Sequence, residues 1–306
     1  MINAVIDIMD DIVRIDVYNL TNNNLKVIFS KYNRMELSSY IKHNSLKEEG
    51  INKLVDILAD YKETLNSFNI SDIHVYATAF LWNMKNCNEV VAAVAKHTSL
   101  KIRSISSKDK MKIIFDNESS KKEFKKKGLL VNISGGSTDI IVCSDGKAIS
   151  SASVGRGYLN TGDKFVKGIL PTKSERHEIR DNFLKKIDKI KEFEKENKYN
   201  ILWCTGNTMN DILKLDRIFF GKKDKDDVIP ASHIRYIIKA IEKQDTMDKF
   251  QNNLGLLIDN VPERIRFIMP SMIILGAIIK RFKCKTIIVT DKKIKTGIMQ
   301  NNISNN

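Results

Sequence analysis

The chain has little cysteine and little histidine, and neither clusters. Cys87, Cys143, Cys204 and Cys284 lie far apart, and none sits in a Cys-x-x-Cys pattern. His43, His74, His97, His177 and His233 are equally scattered. Zinc ligands come at short fixed spacings, and disulfide frameworks come in dense sets, so the pattern argues against both. Long hydrophobic runs are missing too. The longest apolar stretch, 267–279, contains Pro270 and is too short to span a bilayer, so it reads as a buried helix. The opening "MINAVIDIMDD" has no basic region and meets acids at once, unlike a signal peptide. These absences lead to the expectation of a cytoplasmic chain with reduced core thiols and no membrane partner.

What is present is length and positive charge. The 306 residues suffice for two domains of ordinary size. The net charge of +14 favours polyanionic partners. Abundant Ile, Lys and Asn together are also what AT-rich codons give, so part of the excess is compositional. The basic runs 121–127 and 185–197 are mostly interleaved with acids and carry no aromatic interleaving. They read as exposed helix and linker charge rather than a nucleic-acid face.

The chain repeats itself. "NAVIDI", "DIVRIDVYNL" and "LKVIFS" read as three strands, the second alternating Ile12, Arg14, Asp16 against Val13, Ile15, Val17. "GLLVNI", "TDIIVCS" and "KAISSASV" repeat the unit from position 128, with an Asp-Gly hairpin signal at 145–146. Asp7 and Asn132 hold the same place in the two units, an offset of 125 residues. Helices over 47–66 and 88–98 and strands over 73–78 and 101–106 follow the first unit. The second is followed by helices near 173–197, a strand over 200–204, a helix from about 208, three more helices and a strand over 285–290. Alternating strands and helices predict an α/β architecture. Two such halves predict two similar domains with a cleft between them. The polar stretch 117–128 marks the boundary, giving domains 1–122 and 123–306.

Between two strands stands "NISGGSTD" (132–139). Glycines let the backbone approach closely and adopt φ > 0, and successive N–H groups form a nest for an anion. Gly135, Gly136, Ser137 and Thr138 are therefore candidate phosphate contacts. A plain β-hairpin turn fits the same residues.

A duplicated three-stranded unit with glycine turns resembles the actin / sugar-kinase superfamily. More closely, the chain resembles the exopolyphosphatase / guanosine pentaphosphate phosphatase (Ppx/GppA) family. The segments that carry this are "NISGGSTD", "ATAFLWNMKN" (77–86), "ISSKDKMKIIF" (105–115), "CTGNT" (204–208) and "TDKKIKTG" (290–297), with Glu263, Arg264 and Pro270 between the last two. They occur in family order over essentially the whole chain. The resemblance implies two ribonuclease-H-like domains and phosphoanhydride hydrolysis of polyphosphate or guanosine polyphosphate. It also implies Mg²⁺ near Asp7, phosphate contact at Thr208, and a homodimer.

Several family positions are altered. The first phosphate loop reads "DIMDDI" (7–12), so Met9, Asp10, Asp11 and Ile12 stand where the resemblance implies glycine and serine. A like-charge pair at about 4 Å costs about 4 kcal/mol at an effective dielectric near 20, so Asp10 and Asp11 oppose a polyphosphate there. Asn132 stands where the family has a second metal-side Asp, and is a weak, uncharged ligand. Trp82 replaces a phosphate-binding Arg. The general-base position is Lys110, which accepts a proton only when neutral; Asp109 is a weak substitute next door. Lys108, Lys110 and Lys112 could bind an anion or form a solvated basic face. Asp291 and Gly297 remain at the C-terminus, with Lys295 and Thr296 changed. The expectation is weak or lost hydrolysis. The alternative is a non-catalytic protein that binds a polyanion or alarmone, or acts through protein contacts.

Overall fold

The computed structural model describes residues 2–9, 12–21, 24–35, 37–77, 79–119, 122–193, 198–221, 227–242 and 247–290. They divide into two compact units between Ile113 and Ile114.

The first unit opens with β1 (Ile2–Ile8), β2 (Ile12–Thr21) and β3 (Asn24–Arg34). A small hairpin of β4 (Ile41–Lys42) and β5 (Ser45–Leu46) leads into α1 (Glu48–Ser67). Then come β6 (Ile73–Ala77), α2 (Ala79–Trp82), α3 (Cys87–Thr98), β7 (Ile102–Ser104) and α4 (Ser107–Ser119). The sheet order is β3-β2-β1-β6-β7. Its first two pairings are antiparallel and its last two parallel. Side chains alternate across a strand. Ala4, Ile6 and Ile8 of β1 therefore enter one core with Leu54, Leu58 and Tyr61 of α1 and Val90 and Val94 of α3. Val5 enters a second core on the opposite face, with Tyr18, Tyr76, Ile105 and Ile113. Asp7 and, on β2, Arg14 and Asp16 share that second face.

The second unit repeats the plan. Strands β8 (Gly128–Ile133), β9 (Thr138–Ser144) and β10 (Lys147–Val154) precede α5 (Tyr158–Phe165) and α6 (Lys173–Ile187). Next come β11 (Ile201–Thr205), α7 (Asn207–Phe220), β12 (Val228–Pro230) and α8 (Ala231–Glu242). Helices α9 (Met247–Asn260) and α10 (Ile265–Phe282) and strand β13 (Thr286–Val289) close it. The sheet order is β10-β9-β8-β11-β13-β12. The Asp-Gly turn has Asp145 at φ 53 and Gly146 at φ 73, the paired left-handed geometry of a tight hairpin. Helix α10 is the apolar run with Pro270 inside it, and Phe267–Leu275 within it are all buried. Among the described residues no helix is long and apolar enough to cross a membrane.

The polar stretch 117–128 is more structured than its composition implies. Its first residues extend α4, and Lys122–Lys125 form a short 3-10 turn. Phe124 in that turn is fully buried and stacks on Trp203 at a centroid distance of 4.3 Å. The one apolar side chain in a charged run is enough to anchor it.

Candidate functional site

The carboxyl ends of the parallel strands β8 and β11 carry the second unit's candidate site, the usual place for a ligand in an α/β sheet. The loop 134–137 joins β8 to β9. Tyr158 N–H donates to the Ser134 carbonyl at 3.0 Å. Leu159 and Asn160 N–H donate to the Gly135 carbonyl at 3.0 and 3.2 Å. The Asn160 side chain donates to the Gly136 carbonyl at 2.8 Å and accepts the Gly157 N–H at 3.0 Å. In a trans peptide the carbonyl of one residue and the N–H of the next point in opposite directions. With three carbonyls turned to α5, the N–H groups of Gly135, Gly136 and Ser137 point away from it. Among the described residues those three N–H groups have no acceptor. Three successive free amides on one side of a turn are an anion nest.

The glycines work differently from the expectation. The left-handed glycines among the described residues are Gly146, Gly206 and Gly221, so neither loop glycine needs φ > 0. Close approach makes the demand instead. A Cβ at Gly157 would stand 2.0 Å from the Ser134 oxygen and 2.4 Å from the Gly135 oxygen. That missing side chain lets α5 reach the loop.

Ser137 closes the turn: its carbonyl accepts the Ser134 N–H at 2.9 Å, and its hydroxyl lies 3.3 Å from the Ser134 hydroxyl. Thr138 is fully buried and its hydroxyl donates to the Arg156 carbonyl at 2.7 Å. Its side chain therefore ties the loop to the residue before Gly157. Next to this loop, Gly206 caps α7 with φ 120, and its Cβ position lies 2.9 Å from the Ile133 carbonyl oxygen and 3.2 Å from Asn132 Oδ1. Thr208, two residues on, is fully buried, and its hydroxyl has no partner among the described residues. The N-terminus of a 14-residue helix with a buried idle hydroxyl suits an anion.

Asn132 and Asp139 face each other directly across β8 and β9. Asn132 Nδ2 donates to Asp139 Oδ2 at 3.1 Å, and Ser153 Oγ donates to Asp139 Oδ1 at 2.7 Å. An amide opposite a carboxylate settles the pair by hydrogen bonding. Two carboxylates there would need a proton or a cation.

In the first unit the β1–β2 turn closes with Met9 N–H donating to the Ile12 carbonyl at 2.9 Å. Buried Asp7 stands directly opposite Arg14. Arg14 Nε donates to Asp16 Oδ1 at 3.0 Å and Nη2 to Ser30 Oγ at 2.8 Å, while Ser30 Oγ also donates to Asp16. Asp16, 1% exposed, and Ser30 of β3 thus hold the guanidinium. Sequence reasoning saw Arg14 only as one residue of an alternating strand. The signal was its position, the mirror of Asp7 across a four-residue turn.

Helix α4 sorts the two candidates for the base position. Asp109 N–H donates to Ser106 Oγ at 3.0 Å, and that hydroxyl donates to Asp109 Oδ2 at 2.6 Å. Asp109 is an exposed helix-cap residue, with its carboxylate engaged. Lys110, the next residue, is 8% exposed and faces inward. Trp82 Nε1 donates to the Ala77 carbonyl at 3.1 Å, so the indole closes its own turn. Asp10, Asp11, Asp291, Lys295, Thr296 and Gly297 lie outside the described residues. No group of three or more His, Cys, Asp or Glu that could hold a metal occurs among the described residues. Asp7 offers one hard oxygen donor, which fits Mg²⁺ only in the manner where water and substrate phosphates fill most positions.

A family model described as the Ppx/GppA phosphatase family matches residues 16–305. The chain belongs to the Ppx/GppA phosphatase family. A Haemophilus influenzae protein named as an exopolyphosphatase is 22% identical over 97% of this chain and 90% of its own. A bifunctional 3-dehydroquinate synthase/phosphatase of Fusobacterium nucleatum is 23% identical over 99% of this chain, which corresponds to 47% of that longer protein. The Ppx/GppA crystal structure from Aquifex aeolicus superposes with a TM-score of 0.76 at 18% identity, covering 100% of this chain and 98% of that one. An exopolyphosphatase structure from Cytophaga hutchinsonii gives 0.81 at 14% identity, again over 100% and 98%. These structures share the two-domain, actin-like α/β fold with this Ppx/GppA chain.

Proposed function

We propose that this Ppx/GppA chain binds the terminal phosphate of an inorganic or guanosine polyphosphate at loop 134–138 and hydrolyses it weakly or not at all. The observation that supports binding is the loop itself. Three amides at 135–137 point away from α5 without an acceptor, and the idle hydroxyl of Thr208 lies on the adjoining helix. The family resemblance assigns Mg²⁺ to Asp7, and Asn132, at the matching place of the second unit, is a poorer oxygen donor. Weak hydrolysis is supported by the base position. Phosphoryl transfer to water needs a residue that orients or deprotonates the nucleophile. Lys110 carries no carboxylate, and Asp109 is spent on the helix cap.

The test is phosphate release from long-chain polyphosphate and from pppGpp with Mg²⁺ or Mn²⁺, beside equilibrium binding of both. The expected result is binding that Gly136→Asp abolishes, with little or no release. Release abolished by Asp7→Ala would overturn the loss of catalysis. Binding indifferent to Gly136→Asp would overturn the loop. The family resemblance also carries a homodimer, which sedimentation velocity tests directly.

A further inference from the structure

The two main sheets end in four edge strands, β3 and β7 in the first unit and β10 and β12 in the second. An edge leaves a row of backbone donors and acceptors unpaired, so proteins keep edges short, polar or interrupted by proline. Three of these edges follow that rule. β7 and β12 have three residues each, and β12 ends in Pro230. β10 is longer but carries Ser150, Ser151 and Ser153, with Ile149 its only exposed large apolar side chain. β3 departs from the rule. It runs for 11 residues, and its Val27, Ile28 and Tyr32 are 43%, 49% and 48% exposed. Phe29 meets Phe68, the exposed residue that caps α1, at a ring-centroid distance of 6.2 Å. From Lys26 to Lys31 no backbone bond outside the β2–β3 ladder occurs among the described residues.

The register assigns these side chains to faces. Val27 pairs with Tyr18 and Tyr32 with Arg14, on the face of the second core. Lys26, Phe29 and Lys31 pair with Asn19, Val17 and Ile15, on the face that α1 covers. Ile28 is the extra residue of a bulge between the two stretches. A strand laid along β3 therefore meets apolar side chains on one face and two lysines on the other. Lys31 reaches Asp60 in an exposed pair at 2.6 Å, and Lys26 is in no ion pair among the described residues. Directly opposed side chains decide strand pairing, and like charges there are unfavourable. The complement is a segment with apolar residues opposite Val27 and Tyr32 and acids opposite Lys26 and Lys31. None of the four edge strands of this chain contains an acid, so a second copy pairing edge to edge does not supply it. We propose that β3 is a docking edge for an extended segment of a partner protein that alternates acidic and apolar residues and adds to the first sheet as a further strand.

The experiment is fluorescence anisotropy of the full chain with a short labelled peptide of alternating Glu and Val. Two further probes are a peptide of the same composition written as a Glu block and a Val block, and the alternating peptide with its backbone N-methylated throughout. The alternating peptide binds about 10-fold more tightly than either, because only it offers both the side-chain period and the amide donors. Val27→Lys and Lys26→Glu each weaken it by about 10-fold. Both sites are exposed, so thermal midpoints stay at the parent's value. A block or N-methylated peptide that binds as well as the alternating one overturns strand addition. Binding that both variants leave unchanged overturns β3 as the edge. Sedimentation velocity covers the remaining occupant: a dimer of the free chain that Val27→Lys dissolves overturns the acidic partner and gives the edge to a second copy.

Discussion

The two halves of this Ppx/GppA chain use one register with opposite charge. Asp7 opposes Arg14 across β1 and β2, and Asn132 opposes Asp139 across β8 and β9. The offset of 125 residues holds for both members of the pair. In the first half the residue across from the carboxylate is Arg14, whose guanidinium is held by Asp16 and Ser30. In the second an amide meets a carboxylate held by Ser153. The turns differ as well. The 134–137 loop has its carbonyls bound by α5 and its amides left over, while the first turn carries Met9 in place of glycine. Backbone geometry was duplicated, and the chemistry on it diverged.

The largest expected effect lies at the second half's glycines. Gly157→Val forces a side chain into two carbonyl oxygens of the loop and costs about 3 kcal/mol of stability. Gly206→Ala, at φ 120, costs about 2 kcal/mol. Urea denaturation measures both, and Met9→Gly in the other turn serves as the contrast, with a change under about 1 kcal/mol. Near-neutral substitutions at Gly157 and Gly206 would break the comparison.

Asn132→Asp sets two buried carboxylates face to face. Their repulsion raises the pKa of one of them, so the variant matches the parent at low pH and loses stability as pH rises through that pKa. The loss is about 2 kcal/mol near neutrality, scaled to the cost of a buried unpaired charge. Millimolar Mg²⁺ restores it if this position can be returned to metal binding. Thermal midpoints across pH, with and without Mg²⁺, give the answer.

Repairing the first half is the complementary change. Met9→Gly and Asp10→Ser with Lys110→Glu put back a glycine, a hydroxyl and a carboxylate. Polyphosphate hydrolysis should rise by at least about 100-fold if the base position limits the parent, since general-base catalysis contributes that much. A phosphate-release assay that stays flat would place the deficiency elsewhere.

Smaller effects sharpen the picture. Asn160→Ala removes the donor to the Gly136 carbonyl and Ser30→Ala the hydroxyl beside Arg14, each costing about 1 kcal/mol. Only Asn160→Ala should also weaken orthophosphate binding. Smallest of all, burial pushes the Cys143 and Cys284 thiols up to about 12, and it raises the fully buried Cys204 as well. At pH 8 mass spectrometry after alkylation should find Cys87 modified and these three untouched, because the thiolate is the reacting form.

Much of the fold was legible because its signals are local. Ile51, Leu54 and Leu58 fall on one face of α1 by spacing alone, and all three are buried. The Asp145–Gly146 pair named its turn. Helix α5 was missed: "YLNTGDKF" is short, carries Asn, Thr, Gly and Asp, and is held by its contacts with the 134–137 loop rather than by propensity. The candidate site was legible as a string of residue types. Which atoms are occupied was not. Thr138 looked like a phosphate contact and its hydroxyl is committed to Arg156. Asp109 looked like a spare base and is a cap.

The sequence by itself determined the repeat, the family and the loss of glycine and carboxylate from particular family positions, because those are matters of order and residue type. Only the tertiary structure decided where the amides of 135–137 point, why Gly157 has no side chain, and that the Arg156 side chain bonds Asn182 of α6. Those depend on which carbonyls α5 captures and on how α6 packs beside the segment before α5. Residues 20 to 50 positions apart meet there, and a linear reading carries no distance between them.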